Sequence, residues 1–157
     1  MDDVYSRLAV STVINGAGTL TRLGGSLMEP EVVGAMAGAA RHSVRIDELQ
    51  VAVGRRIAEA TGAESGLVTS GAAAAVTLAA AACLAGLDFR RMDRLPDTTG
   101  MPCEIIVARS QRNGYDHALR AAGARLVEVG VAERTRDPQP WELEAAVSPE
   151  TVAFAFA

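Results

Sequence analysis

The sequence predicts an α/β fold with a parallel sheet built from βαβ units. From residue 63 onward, short apolar runs alternate with helical segments of about 10 to 15 residues, which is typical of such units. Two of the apolar runs, IIVA and AFAFA, carry no charge on either face, as expected for strands covered on both sides. The chain has 157 residues, 49% of them hydrophobic, which suffices for one sizeable core.

The segments before residue 63 are predicted to be helical. In EPEVVGAMAGAARHS, Pro30 suits a first helical position and small apolar residues recur along the segment. Asp47 is a good N-cap for DELQVAVGRRIAEATG, whose apolar residues fall on one face before Gly62 ends the pattern. We therefore expect two successive helices, which begin near residues 29 and 47.

Beyond residue 63 the predicted elements follow in a regular order. Strands are expected at ESGLVTS, CEIIVAR, RLVEVG and TVAFAFA, and helices at the alanine-rich stretch, at GYDHALRAAG and at PWELEAAV. Residues 87–102, which lack periodicity and contain two prolines, are expected to form a long exposed connection. A bare apolar strand at the end would invite aggregation. We therefore expect the chain to be the N-terminal part of a longer protein, unless a partner strand covers that edge.

Composition excludes several functional classes. The formal net charge of −4 and the pI near 5.2 give no drive toward nucleic acid or anionic lipid. All 15 basic residues are arginine, so the chain has no lysine. Cys83 and Cys103 lack CxxC spacing, and we expect neither a disulfide framework nor a metal site. The acidic N-terminus does not have the form of a signal peptide, so a cytoplasmic location is expected.

The uncharged stretch LVTSGAAAAVTLAAAACLAG, residues 67–86, admits three interpretations. It has about the length that a bilayer requires, but its alanine content and its polar interruptions favour a buried helix over a membrane span. A strand before it and a helix after it would place a turn at Thr69, Ser70, Gly71 and Ala72. A helix N-terminus binds phosphate through its unpaired N–H groups and positive dipole end. The alternative is that Ser70 only caps the helix.

Other phosphate and nucleophile motifs fit less well. A Walker loop requires a lysine, which the chain lacks. The run Gly16-Ala17-Gly18 has Thr21 where the dinucleotide fingerprint requires glycine. Ser70 does not lie in GxSxG spacing, so no nucleophile elbow is indicated.

Polar side chains follow two of the predicted strands, where ligands collect in a parallel sheet. The candidates after CEIIVAR are Gln111, Arg112, Asn113, Tyr115 and His117. Solvent exposure on a helix is the alternative for His117. After RLVEV, Arg134 and Arg136 either contact an anion or lie in a solvated loop. The FRRMDR cluster alternates charge too closely for a nucleic-acid patch.

Taken in order, three segments resemble the selenocysteine synthase-like (SelA-like) branch of fold-type I pyridoxal phosphate enzymes, of aminotransferase class V-fold. They are VINGAGTLTRLGGSLM, then DELQ with VGRRIAEATGAESGLVTSGAAAAVTLAAAACLAG, and then EIIVARSQRNGYDHALRAAGARLVEVG. The resemblance covers nearly the whole chain from about residue 13. It implies the large α/β domain of such an enzyme, with an active-site strip at residues 1–28, a helical segment at 29–62 and the first part of the cofactor-binding domain at 63–157.

The resemblance also implies roles for individual residues. The cofactor phosphate would be held by Thr69, Ser70, Gly71 and Ala72. Gln111 would pack over the pyridine ring. Residues 15–26 would close over cofactor and substrate beside a partner subunit. Within that strip, Asn15 and Arg22 would contact the substrate, with Arg22 as the anion contact.

The resemblance further implies a reaction class. Pyridoxal phosphate enzymes use a Schiff-base lysine, which this chain lacks, so we expect no catalytic residue here and an inactive chain in isolation. Few residues precede the first motif, which favours a small amino acid or amino-sugar acid over seryl-tRNA, and α,β-elimination of the ammonia-lyase or dehydratase type. The alternatives are selenium-transferase or aminotransferase-type chemistry, or a non-catalytic binding module. A homodimer or higher homo-oligomer is expected, without nucleic acid, membrane or metal.

Overall fold

A computed structural model of the protein describes residues 4–131 and 136–156. Its helices are α1 (Val4–Arg7), α2 (Pro30–Ala39), α3 (Ile46–Thr61), α4 (Ala72–Ala85), α5 (Phe89–Arg94), α6 (Asp116–Ala121) and α7 (Pro140–Ala146). Its strands are β1 (Glu104–Ala108), β2 (Arg125–Val129) and β3 (Thr151–Ala155). The chain divides into two compact units, residues 1–49 and residues 50–157.

The second unit contains a parallel sheet in the order β2-β1-β3. In the register, Ile106 of β1 lies opposite Val127 of β2 and Phe154 of β3. All five residues of β1 are buried, as expected for a central strand with covered faces. The predicted α/β fold is therefore confirmed, and the strands at CEIIVAR, RLVEVG and TVAFAFA lie where the sequence places them.

The core of this unit forms where α4 and α6 pack on the sheet. Leu84 of α4 and Ile105 of β1 are almost fully buried, and Val107 and Leu119 belong to the same cluster. Burial of one such aliphatic side chain stabilises a fold by about 1.5–3 kcal/mol. The Thr77 hydroxyl adds a polar contact, because it donates to the Ala118 carbonyl of α6 at 3.1 Å. These contacts fix the position of α4 relative to the end of β1.

A buried carboxylate joins the amino ends of the strands. Glu104, which begins β1, pairs with Arg125 of β2 and accepts hydrogen bonds from the Ser148 hydroxyl at 2.6 Å and from the Thr151 hydroxyl at 3.4 Å. The Ser148 hydrogen bond, followed by the charge and hydrogen bond of Arg125, lowers the pKa of Glu104 below its ordinary value. The ionised form of this carboxyl therefore stabilises the folded sheet.

The lowered pKa of Glu104 predicts a stability loss in acid. Since the folded pKa lies below the unfolded value of about 4.3, the stabilisation is complete above that pH and disappears as the pH falls through the folded pKa. We expect the urea midpoint to fall below about pH 5, and Glu104→Gln to lower it at pH 7 and to make its fall in acid shallower. The exposed Glu144 of α7 provides the control variant Glu144→Gln. An identical acid profile in wild type and Glu104→Gln would contradict the assignment.

The prediction of a buried helix for the alanine-rich stretch is only partly correct. One face of α4 is buried through Ala80, Leu84 and Ala85, but Leu78 is 50% exposed and Cys83 is also exposed. The absence of charge therefore does not mean complete burial in this structure. Alanine has high helix propensity and little apolar surface, so a helix can expose a face of this kind at low cost.

None of the helices in the described ranges has the length and apolar character that spanning a bilayer requires.

The strand predicted at ESGLVTS is wrong for this structure. Residues 63–69 form no strand, because no other strand of the described ranges pairs with them. A side chain takes the place of a strand partner at Val68. The amide of Gln50 donates to the Val68 carbonyl at 2.8 Å and accepts from the Val68 N–H at 3.2 Å. Sequence periodicity predicts an extended conformation but not the neighbour that a sheet requires.

The exposed connection predicted at residues 87–102 contains a helix, so this prediction is also wrong in part. Asp88 caps α5 by accepting hydrogen bonds from the N–H groups of Arg90 at 2.9 Å and Arg91 at 3.3 Å. A six-residue helix is too short to show apolar periodicity, and the aspartate cap was its main sequence signal.

The two helices predicted before residue 63 are present. Pro30 begins α2, as expected. The helix α3 begins at Ile46, two residues before the start expected with Asp47 as N-cap, so Asp47 lies in its first turn and pairs with Arg45 at 2.8 Å instead of capping it. Gly62 follows α3 with φ of 73°, which is the left-handed conformation that glycine adopts readily after a helix.

Candidate functional site

The turn before α4 has the geometry of an open helix N-terminus. Gly71 is the N-cap residue, with φ of 146° and ψ of 172°, a conformation open essentially to glycine alone. No side chain caps this end of α4, and the first turn contains no acidic residue. The alternative in which Ser70 caps the helix is therefore wrong. The Thr69 hydroxyl instead donates to the Gly71 carbonyl at 2.9 Å, which folds the turn back on itself.

A cavity of about 410 Å³ opens at the carboxyl ends of β1 and β3. Its walls include Ala72 and Val76 from the first turns of α4, Ala108 from the end of β1, and Gln111 from the loop that follows. The structure therefore brings two of the predicted site residues, Ala72 and Gln111, to one cavity. Thr69, Ser70 and Gly71 directly precede Ala72 but do not line it.

The loop after β1 supplies the polar wall of this cavity. Asn113 and Tyr115 both line it. The Asn113 side chain also shapes the loop, since its amide donates to the Gln111 carbonyl at 3.0 Å and its oxygen accepts from the Tyr115 N–H at 2.8 Å. Sequence reasoning placed these residues near a site but did not foresee that Asn113 would organise the loop. The Asn-Gly pair at residues 113–114 was the available turn signal.

Asp116 is a cavity residue that the sequence prediction missed. Its carboxylate pairs with Arg112, which also pairs with Glu128 of β2, and Arg109 reaches the same Glu128 at 3.1 Å. The hydrogen bond from Arg112 to Asp116 raises the pKa of the Arg112 guanidinium, so this arginine remains charged. Because Asp116 is neutralised by Arg112, the cavity presents little net negative charge to an anionic ligand.

One polar atom beside this wall lacks a protein partner. The Ser110 hydroxyl is buried and makes no hydrogen bond within the described ranges. A buried hydroxyl without a partner costs about 1–3 kcal/mol, so it is a place where a ligand or further protein atoms would stabilise the structure.

The strip that contains Asn15 and Arg22 belongs to the first unit. The Asn15 amide donates to the carbonyls of Gly18 at 2.8 Å and Gly25 at 3.0 Å, and its oxygen accepts from the Ala17 N–H at 2.9 Å. Its carboxamide is therefore used to fold the loop. Arg22 lies on a short 3-10 turn, Thr21–Leu23, is exposed, and has no acidic partner among the described residues.

The remaining candidates have other environments. His117 is exposed and its Nδ1 lies 3.1 Å from an Arg120 nitrogen, which agrees with the surface interpretation. Arg136 is exposed and pairs with the carboxylate of Glu142 at 2.6 Å, which agrees with the solvated-loop interpretation. Arg134 lies outside the described residues. Within those residues, no group of three or more histidine, cysteine or acidic side chains could hold a metal ion.

Comparison with known proteins identifies relatives along nearly the whole chain. D-glucosaminate-6-phosphate ammonia lyase from Salmonella typhimurium is 36% identical over 98% of this chain and 42% of its own length. A 5'-C-glycyluridine monooxygenase-decarboxylase from Streptomyces is 36% identical over 97% of this chain and 39% of its own. L-seryl-tRNA(Sec) selenium transferase from Desulfotalea psychrophila is 32% identical over 88% of this chain and 29% of its own. No model of a known protein family matches the chain.

A solved structure supports the same relationship. The structure of a D-glucosaminate-6-phosphate ammonia-lyase superposes with a TM-score of 0.91 at 36% identity, over 97% of this chain and 42% of the solved one. The chain thus spans about two fifths of the length of the first of these relatives. Both the lyase and the selenium transferase are pyridoxal phosphate enzymes of fold type I. The resemblance seen in the sequence is confirmed: this chain is a relative of the selenocysteine synthase-like branch of fold-type I pyridoxal phosphate enzymes.

Proposed function

We propose that this chain supplies the phosphate-binding side of a pyridoxal phosphate site. Thr69, Ser70, Gly71 and Ala72 hold the phosphate, and Gln111 covers the pyridine ring. The observation that carries the proposal is that the uncapped N-terminus of α4 and Gln111 reach one cavity at the carboxyl ends of the strands.

The described residues fit this cofactor. A Cβ built on Gly71 meets no atom within 4 Å, so the space beside the turn is open to a phosphate group. The cavity of about 410 Å³ falls within the usual range of small-molecule sites, roughly 300–1,000 Å³. The apolar walls of Val76 and Val107 suit a flat ring, and the pairing of Asp116 with Arg112 removes a charge that would repel phosphate.

For the reaction, we propose α,β-elimination on a small amino acid or amino-sugar acid. When bound, the cofactor supplies an electron sink for the substrate amino acid. The backbone N–H groups at the start of α4 anchor the phosphate, and Gln111 restricts the orientation of the ring. Arg22 binds an anionic group of the substrate, whereas Asn15 acts by folding the loop that carries Arg22. The chain has no lysine, so the Schiff-base lysine must come from residues outside it.

Two alternatives have support of their own. Selenium-transferase chemistry is supported by the 32% identity to L-seryl-tRNA(Sec) selenium transferase. A binding module without catalysis is supported by the absence of lysine from the chain. Aminotransferase-type chemistry remains a further proposal from the resemblance. We also propose a cytoplasmic homodimer or higher homo-oligomer, and functional segments at residues 1–28, 29–62 and 63–157.

Substrate assays with Arg22→Met test the reaction proposal. The whole protein, meaning this chain together with the residues that supply the Schiff-base lysine, should release ammonia from D-glucosaminate 6-phosphate when pyridoxal phosphate is added. Arg22→Met in the whole protein should raise KM by about tenfold while kcat changes little, because a charge-assisted hydrogen bond to substrate is lost. The exposed Arg41, at the end of α2, gives the control Arg41→Met, which should leave KM unchanged. No ammonia release from this substrate or from serine would exclude the elimination proposal.

A further inference from the structure

Gln50 makes an unusual pair of hydrogen bonds with the backbone that leads into the phosphate turn. Its Nε2 donates to the Val68 carbonyl at 2.8 Å, and its Oε1 accepts from the Val68 N–H at 3.2 Å. A strand neighbour would satisfy the same two groups in a sheet. Val68 directly precedes Thr69, so this contact lies one residue before the turn.

A second contact joins the same two segments. A Cβ built on Gly54 would lie 2.3 Å from the Gly66 carbonyl oxygen, and one built on Gly66 would lie 2.8 Å from Ile57. The backbone of α3 and residues 63–68 therefore approach each other as closely as glycine permits. Gln50 and Gly54 are four residues apart and share one face of α3. Close packing at Gly66 and hydrogen bonding at Val68 fix this segment at two successive points.

We propose that Gln50 is a positioning residue for the cofactor phosphate, through its hold on Val68. This inference rests on the proposed function of residues 69–72. Residues 63–69 have no strand partner in the described ranges, and the Gln50 amide supplies the two hydrogen bonds that hold the backbone of Val68, one residue before the turn. A fixed entry preorganises the N–H groups of Ala72 and Ala73 before the phosphate arrives, which lowers the ordering cost of binding.

The test uses Gln50→Met in the whole protein. Methionine keeps the length and helix propensity of glutamine but cannot make either hydrogen bond. The dissociation constant of pyridoxal phosphate, measured by spectroscopic titration, should rise by about tenfold, as expected for the loss of two ordinary hydrogen bonds. The control is Arg56→Met on the same helix, which removes an exposed pair with Glu59 and should change the constant by less than about twofold.

Two further measurements separate positioning from general stability. In cofactor-free protein, amide exchange at residues 66–72 should become about tenfold faster in Gln50→Met and should not change in Arg56→Met. Gln50→Glu places a carboxylate against the Val68 carbonyl, so it should also weaken binding. The difference in affinity for pyridoxal phosphate between Gln50→Glu and wild type should become smaller as the pH falls, because the protonated carboxyl can again donate a hydrogen bond to the Val68 carbonyl. This variant serves as the test if Gln50→Met fails to fold.

The outcomes distinguish this inference from the proposed function. An unchanged dissociation constant in Gln50→Met would overturn the positioning role, even if the variant unfolded more easily. If wild-type whole protein bound no pyridoxal phosphate, the proposed function would fail and the positioning role with it. Weaker binding together with faster local exchange would support the inference.

Discussion

Gly71→Val should lower the affinity of the whole protein for pyridoxal phosphate by about tenfold to a hundredfold. At φ of 146° and ψ of 172°, Gly71 has a backbone conformation that costs other residues about 1–3 kcal/mol. The Cβ of valine would meet no atom within 4 Å, so the effect comes from the backbone and not from a clash. To relieve the strain, the turn must rotate its N–H groups away from the phosphate. Spectroscopic titration measures the change directly.

The neighbouring Ser70 provides the matched control for this variant. Ser70 is exposed and its hydroxyl has no hydrogen-bond partner within the described residues, so Ser70→Ala removes one optional donor and leaves the backbone unchanged. We expect its affinity to fall by less than about threefold. If Gly71→Val and wild type bound pyridoxal phosphate with equal affinity, the proposal that this turn binds the cofactor phosphate would be wrong.

Gly54→Ala should destabilise the second unit, although alanine is normally favoured over glycine in a helix. Its new Cβ would lie 2.3 Å from the Gly66 carbonyl oxygen, which is backbone and cannot move without displacing residues 63–68. Overpacking of this kind costs on the order of 1–3 kcal/mol, more than the gain of roughly 1 kcal/mol in helix propensity. A lower urea midpoint is the expected result. Cofactor affinity should fall as well, since the same segment leads into the turn.

A glycine-to-alanine substitution on α2 should have the opposite effect on stability. A Cβ on Gly34 meets no atom within 4 Å, and α2 is exposed along its length, so Gly34→Ala should stabilise its helix by up to about 1 kcal/mol. If Gly54→Ala raised the urea midpoint as Gly34→Ala does, the close contact between α3 and residues 63–68 would be absent in solution.

The sheet was predictable because its strands carry their own burial signal. The uncharged run IIVA became four of the five buried residues of the central strand β1, since a strand covered on both faces is mostly apolar, and the fifth, Glu104, is paired with Arg125. ESGLVTS was predicted as a strand from its place in the alternating order, yet it forms none here, because a strand also requires a neighbour and the Gln50 side chain takes that place. The helix α5 escaped prediction because six residues are too few for periodicity.

The candidate site was predictable only in its location. Ligands collect at the carboxyl ends of parallel strands, so the position of Gln111 after β1 could be expected. Ala72 reaches the same cavity because α4 packs against the sheet, and not because a strand ends before it. The charge balance at Asp116 could not be foreseen, because it depends on where Arg112 lies relative to Glu128 of β2. Asn15 likewise has a chemistry suited to substrate binding, but its amide is committed to its own loop.

The most direct test of the central claim is a crystal structure of the whole protein with pyridoxal phosphate bound. We expect phosphate oxygens at about 2.9 Å from backbone nitrogens at the start of α4, with Gln111 against the ring. A phosphate bound elsewhere, with the N-terminus of α4 exposed to solvent, would contradict the account.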